Sequence, residues 1–395
     1  MNCSKLPRWY PFPGFEARGP IALVFLSCAG LSFAGACAEG DTPGEPVFEP
    51  EVIGTASVPL SDNNEVAVLA GGRVACVIES YDERVHCVDR EGVAVGSFGR
   101  KGEGPGEFGG AASLVRGDRG TIGVVDLELS RFSVFEPSGT FVSSVSVPGV
   151  TFSPVASFDT VVTGVSLRFV MPGEDDDGPL MHLYEVDIAS GETVREDASR
   201  GGPWDVECGR VINGIPDRRG GWAFLACGGY LVFDEGAGSE ATVVRAPTYV
   251  EEFPDERDVA RRREEIESLN RAFTELGLEP SESVEEQLES YRATPERYYL
   301  RTSQHLFDAG NRYWVATHRG LHEWSWLDVY ENTEYVASVK VRDRMLGFDV
   351  VGSTLVVLVE RQLGPEDEDG VPDRAVDWYE VAGVTRSSTP ARPGW

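Results

Sequence analysis

From Val52 onward, apolar positions come in short runs of β-favouring residues, separated by Gly-, Pro- and acid-rich turns. Two stretches, 74–95 (VACVIESYDERVHCVDREGVAV) and 121–142 (TIGVVDLELSRFSVFEPSGTFV), superpose without a gap at an offset of 47. Val77 falls on Val124, Glu79 on Asp126, Arg84 on Arg131, Val88 on Phe135 and Gly92 on Gly139. Each unit holds two strand-like runs around a polar turn, then a glycine turn, then another run. A strand repeat of this period marks the blades of a β-propeller, and a helical solenoid would show 3.6-residue spacing instead.

Further units follow. Residues 157–168 with 181–187 predict a third blade, 209–234 a fourth, 311–330 a fifth, and 353–363 with 375–381 a sixth. The last lacks an outer strand, and the orphan run Val52 to Leu60 can supply it, leaving no exposed sheet edge at the seam. The predicted fold is all-β: a six-bladed β-propeller of four-stranded blades closed by an N-terminal strand, with an inserted α-helical hairpin. That propeller spans 51–383, with the helical insertion at about 249–297 and a C-terminal tail over 384–395. In the insertion, Val259, Ile266, Leu269, Phe273 and Leu276 recur at near-heptad spacing, with Gly277 as a stop. Ser283 and Glu286 form a capping box for a second helix striped by Val284, Leu288 and Tyr291.

The apolar run Pro20 to Ala36, preceded by Lys5, Arg8 and Arg18, is short for a spanning helix and fits a signal-peptide core. It ends at Ala34-Gly35-Ala36-Cys37, which resembles the lipobox of bacterial lipoproteins, although Ala34 stands where that family prefers leucine. The resemblance implies cleavage after 36, lipidation of Cys37, a flexible tether over 37–50 and an exported protein held on the cell envelope. Between the two superposed units lies FGRKGEGPGEF, Phe98 to Phe108. With the acid, turn, arginine pattern of Asp126 to Arg131, it resembles NHL-type repeats and bacterial six-bladed propeller lipoproteins. The resemblance covers 60–147 and implies that the glycine-rich stretch carries the chain from one blade's outermost strand to the next blade's innermost. A P-loop lysine followed by Ser or Thr is missing, so phosphate cradling is not supported.

A formal charge of −30 argues against nucleic acid and anionic membrane surfaces as partners, leaving the lipid anchor as the membrane contact. After removal of 1–36, four cysteines accompany Cys37. In an antiparallel hairpin, opposed residues have a constant sum of numbers. Glu79 facing Arg84 gives 163, which also opposes Cys76 to Cys87, and a sum of 435 would oppose Cys208 to Cys227 across PDRRGG. Two local disulfides are therefore predicted.

Candidate chemistry is sparse. His305, His318 and His322 cluster in sequence, but His318 and His322 flank Arg319-Gly320 in a predicted hairpin and lack the glutamate of a zincin. They are kept as binding candidates, and Trp314, Trp324 and Trp326 nearby read as packing between blades. The acidic runs 174–177 and 366–369 do not have EF-hand spacing. The recurring pairs Glu79–Arg84 and Asp126–Arg131 suit the pinning of a turn, since catalysis needs one unique site. No catalytic residue, metal ligand or cofactor is assigned. The expected function is a binding or scaffolding module for a protein or small-molecule ligand. The alternative is a metal-dependent hydrolase or lyase of the lactonase-like six-bladed type, with ligands scattered over several blades at the channel mouth.

Overall fold

The computed structural model describes residues 46–385 apart from 62–64, 118–119, 148–155, 159–160, 168–180, 200–212, 218, 220, 227–228, 236–239, 250–252, 276–281, 294–304, 318–324 and 362–371. Two short strands come first, β1 (Val47–Phe48) and β2 (Val52–Val58). The first blade is β3 (Val66–Leu69), β4 (Val74–Glu79), β5 (Arg84–Asp89) and β6 (Ala94–Phe98). The second is β7 (Ala111–Arg116), β8 (Ile122–Asp126), β9 (Arg131–Phe135) and β10 (Phe141–Ser146). The third is β11 (Ala156–Phe158), β12 (Val161–Leu167), β13 (Met181–Asp187) and β14 (Thr193–Ser199). The fourth is β15 (Asn213–Pro216), β16 (Trp222–Leu225), β17 (Tyr230–Asp234) and β18 (Thr242–Arg245). Helices α1 (Glu256–Glu275) and α2 (Val284–Arg292) precede β19 (His305–Phe307), β20 (Tyr313–Thr317), β21 (Ser325–Glu331) and β22 (Glu334–Val341). The chain ends in β23 (Arg344–Val351), β24 (Thr354–Glu360), β25 (Arg374–Glu380) and the short helix α3 (Ala382–Thr385).

These strands make five four-stranded antiparallel blades and one sheet of five strands. The expected six blades of four strands are corrected to that extent: in the sheet β19–β22, β1 adds in parallel to the outer edge, Val47 opposite Ser338 and Phe48 opposite Val339. The segment just ahead of β2 is held on this sheet as well. Pro46 O accepts the Ser338 amide at 2.9 Å, and Phe48 packs on the core of the last two sheets. The first strand of each sheet lies innermost. Thus β23 packs beside β3, β3 beside β7, β7 beside β11, and β15 beside β19.

Apolar side chains on both faces of the strands pack neighbouring sheets together. Cys76, Ile78, Val85 and Phe98 of the first blade meet Leu114, Ile122 and Phe135 of the second. Val115, Val125 and Phe132 meet Val162, Tyr184 and Val186, and Leu225, Leu231 and Phe233 meet Tyr313, Val315 and Tyr330. Trp314, Leu327 and Val339 meet Phe348, Val357 and Tyr379. Ala75 and Val77 return to Val356, Val376 and Trp378, which joins the last blade to the first. Val384 in α3 is also buried in the core, so the folded part reaches past 383.

Neighbouring blades interlock at their peripheries. Gly92, Gly139 and Gly191 have φ of 82°, 95° and 74°, each in the turn before an outermost strand. That turn lies against the preceding blade's outermost strand: Gly92 at Thr55 O, Gly139 at Phe98 and Gly191 at Val145. Gly96 sits so close to Pro137 O that a Cβ there would collide with it.

The expected closure is observed. β2 pairs antiparallel with β25, from Val52 opposite Tyr379 to Val58 opposite Arg374. Thr55 Oγ1 donates to Asp377 Oδ1 at 2.6 Å, and Arg361 donates to Asp377 Oδ1 at 2.7 Å and to Oδ2 at 2.8 Å. Arg361 also bonds Asp343 and, at 3.0 Å, Thr55 Oγ1. Asp377 is fully buried, so its charge depends on these donors.

The helices form as the apolar spacing predicts, and Ser283 and Glu286 make the reciprocal capping box. Val259 and Ile266 bury against Leu288, Val284 and Tyr291. Leu269, expected in this stripe, is exposed. Among the described residues, the element each helix packs against most is the other, so the hairpin carries its own small core.

Asp377→Ala should cost about 2 kcal/mol, because it removes the buried acceptor of Thr55 and Arg361 while Asp343 still pairs with the part-exposed guanidinium. Thr55→Ala should cost about 1 kcal/mol, one hydrogen bond's worth. Urea unfolding measures both, with an unchanged slope showing that the ring still melts as one unit.

Candidate functional site

The carboxylates singled out by the repeat are engaged by their own turns. Glu79 and Arg84 are directly opposed, and Glu79 Oε1 accepts the amides of Tyr81 at 3.1 Å and Asp82 at 3.2 Å. Asp126, opposite Arg131, accepts the Leu129 amide at 3.1 Å and reaches the incoming chain at Gly109 (2.8 Å) and Gly110 (3.1 Å). Arg131 lies 3.7 Å from Asp126 and donates to the carbonyls of Glu103, at 3.0 Å, and Glu107. The glycine-rich stretch 98–108 is therefore a connector held by one arginine and one acid. It links β6, the first blade's outermost strand, to β7, the second blade's innermost. Glu107 closes it from within by accepting from Gly104 N at 2.9 Å and from Arg100, and these donors hold its carboxyl below the usual range.

The same device recurs at positions the repeat did not flag. Asp89 takes the Val93 amide at 2.7 Å, Asp187 the Ser190 amide at 2.7 Å, and Asp217 the Gly221 amide at 2.7 Å. Asp308 takes the Gly310 amide at 2.8 Å, Arg312 Nε at 2.8 Å and Trp314 Nε1 at 3.1 Å. Short acidic side chains that accept amides two to four residues ahead fix the hairpin turns.

Of the three candidate histidines, His305 is described, and His318 and His322 lie outside the described residues. His305 is not an exposed hairpin residue: it is buried on β19, with Nδ1 2.7 Å from the Tyr313 hydroxyl. Burial raises the Tyr313 phenol well above its ordinary pKa and keeps it neutral. Trp314 is fully buried between sheets, as expected, while Trp326 lies under Lys340, 5.4 Å from ring centre to Nζ. The acidic runs 174–177 and 366–369, like Trp324, fall outside the described residues.

Cys76 and Cys87 are cross-strand partners with Cα atoms 4.1 Å apart, and they form the expected disulfide in the core between the first two blades. Cys208 and Cys227 lie outside the described residues. The hairpin that was to oppose them is registered differently: Asn213 faces Leu225 and Ile215 faces Ala223, a sum of 438 rather than 435. Asp217 decides this, because its bonds to the Arg219 and Gly221 amides centre the turn on residue 219.

Two features of the innermost strands had no local sequence signal. Arg116 on β7 donates through Nη1 to Asp349 Oδ1 at 2.7 Å, Oδ2 at 2.8 Å and Val350 O at 3.1 Å on β23. β3 lies between those two strands, so this pair spans a whole blade on the channel side. At the start of β3, Glu65 accepts a hydrogen bond from the Leu114 amide, yet burial pushes its pKa up to about 7. Away from the ring, an open cleft of about 540 Å³ lies along the helical hairpin at Glu267, Asn270, Arg271, Thr274 and Val284. Among the described residues, no three His, Cys, Asp or Glu side chains converge to hold a metal ion, and no helix is long and apolar enough to cross a membrane.

This arrangement defines a β-propeller whose recurrent motifs hold the scaffold together. No known family profile matches the chain, and no curated protein does. Among solved structures, a DUF4221-family protein from Bacteroides vulgatus is similar with a TM-score of 0.50 at 10% identity, over 84% of this chain and 98% of that one. A protein of Bacteroides fragilis described as exported is similar with a TM-score of 0.43 at 10% identity, over 85% of this chain and 99% of that one. At this identity the likeness to the DUF4221-family protein shows a shared fold alone.

Glu65 makes stability pH-dependent in a defined direction. Its folded pKa of about 7 lies above the ordinary 4.5, so the folded state holds the proton more tightly. Its stabilisation is complete below pH 4.5 and is lost as the pH rises through 7, at about 1.4 kcal/mol per unit inside that window. Glu65→Gln should remove this slope and leave the protein more stable than wild type at pH 8, as read by urea unfolding across the range.

Proposed function

We propose that the chain is an exported, lipid-anchored propeller that acts as a rigid binding module, with the five-stranded sheet counting as the sixth blade of the ring. The observation that carries this reading is the use made of the recurring acids. Glu79, Asp89, Asp126, Asp187, Asp217 and Asp308 accept backbone amides of their turns, so the acids stiffen the turns of both faces of the scaffold. The helical hairpin, with its own core and with Leu269 exposed, is the element of the connector face best placed to contact a partner. Export is supported by the signal-like run ending at Cys37 and by the Cys76–Cys87 disulfide, which persists in an oxidising compartment.

Two experiments test the reading. Metabolic labelling with a fatty acid should mark the wild type and spare Cys37→Ser; equal labelling of both removes the anchor. A photo-crosslinking residue at position 269 of the envelope-bound protein should capture one adduct of fixed mass. Replacing 255–293 by a Gly/Ser linker should leave melting cooperative. Stoichiometric metal in the purified protein, together with lactone turnover, would overturn the binding reading in favour of an enzyme.

A further inference from the structure

In an up-and-down blade, the second-to-third-strand turn and the connector to the next blade share one face of the ring. The first-to-second and third-to-fourth turns share the other. The stretch 98–108 and the helical hairpin are both blade-to-blade connections, so they lie on the connector face. Every outermost strand begins at the opposite, turn face. The same interlock at Gly92, Gly139 and Gly191 shows that three successive blades keep this direction.

The outermost strands of the five four-stranded blades each carry an exposed valine at or next to their start, namely Val93, Val142, Val194, Val243 and Val52. Val47, on the added strand β1, is exposed too but lies opposite Ser338, midway along β22. All six are between 41% and 59% exposed. A lone exposed valine is ordinary. One per four-stranded blade, within three residues of the glycine turn or the strand start at the same edge, makes an apolar rim.

The path of the chain says what this rim meets. β1 runs parallel to β22, an outermost strand, so the chain comes to β1 from the turn face. Cys37 precedes Pro46 by nine residues, which span at most about 30 Å. We propose that the apolar rim of the turn face rests on the lipid surface that holds the Cys37 anchor, and that the propeller thereby points its connectors and helical hairpin away from the membrane. The inference rests on the lipid-anchor reading above. The occupant is a zwitterionic surface. The acids Glu91, Glu136, Glu192 and Glu334 beside the rim oppose an anionic one, and tethering lets weak apolar contacts set orientation without having to supply affinity.

The test uses the mature, lipidated full-length chain on phosphatidylcholine/phosphatidylethanolamine vesicles doped with a quencher-bearing lipid. A genetically encoded fluorescent residue sits at 142, 194 or 243, or at 103 in the connector as the control. The rim positions should be quenched several-fold more than position 103. Val142→Asp with Val194→Asp should abolish quenching at 243 while the protein stays on the vesicles. Vesicle-bound protein with equal quenching on both faces would overturn the docking and leave the anchor standing. Recovery of the protein in the aqueous phase would overturn the anchor and the docking together. Adding phosphatidylglycerol should weaken rim quenching; strengthening would overturn the assignment to a neutral surface.

Discussion

A ring of sheets has one weak place, the seam where the chain's two ends must meet. Here it is closed by β2 lying against β25, two segments whose key residues, Thr55 and Asp377, are 322 positions apart. The carboxylate of Asp377 sits at the centre of the seam, fully buried, and holds Thr55 and Arg361. Without that strand the last blade would expose a row of unpaired backbone groups, and the Val356 and Trp378 core it shares with the first blade would open. The first and second blades each pack between two neighbours, so their positions depend on the seam holding.

The seam also explains how the N-terminal segment is used. Residues 46–49 run along the edge of the five-stranded sheet, with Lys340 3.3 Å from Glu49, before β2 enters the last blade. The chain is thus fastened at two adjacent places, and a pull from its N-terminal side would load the edge of β22 before it reached the closing strand.

What the sequence revealed and what it concealed divide by distance along the chain. The Glu79–Arg84 and Asp126–Arg131 pairings, the Cys76–Cys87 bond and the capping box at Ser283 were legible because a gapless repeat or a local pattern carried each. The closing strand, though distant, was legible because the last blade lacked one strand and Val52 to Leu60 was the run left over. Arg116 and Asp349 are 233 residues apart, and nothing near either marks the other. Glu65 likewise belongs to no motif: its shifted pKa comes from where β3 places it. The hairpin at 213–225 was misregistered because PDRRGG admits more than one turn centre, and only the amides that Asp217 captures choose between them. Leu269 was misplaced because the face of α1 that meets α2 is the one carrying Val259 and Ile266, and Leu269 lies off it. The excess of 65 acidic over 35 basic residues had suggested what the surface would repel. The structure shows in addition that many of these acids order turns, a role in which an amide-accepting carboxylate serves better than any base.

The central claim is that the ring holds together as one cooperative unit through its closing strand. Native-state hydrogen exchange along β2, β24 and β25 tests it most directly. The account predicts that the hydrogen-bonded amides of β2 exchange only with global unfolding, at the same free energy as those of β24. If β2 amides exchange by a low-energy local opening while β24 stays protected, the seam does not hold the ring, and the account is wrong.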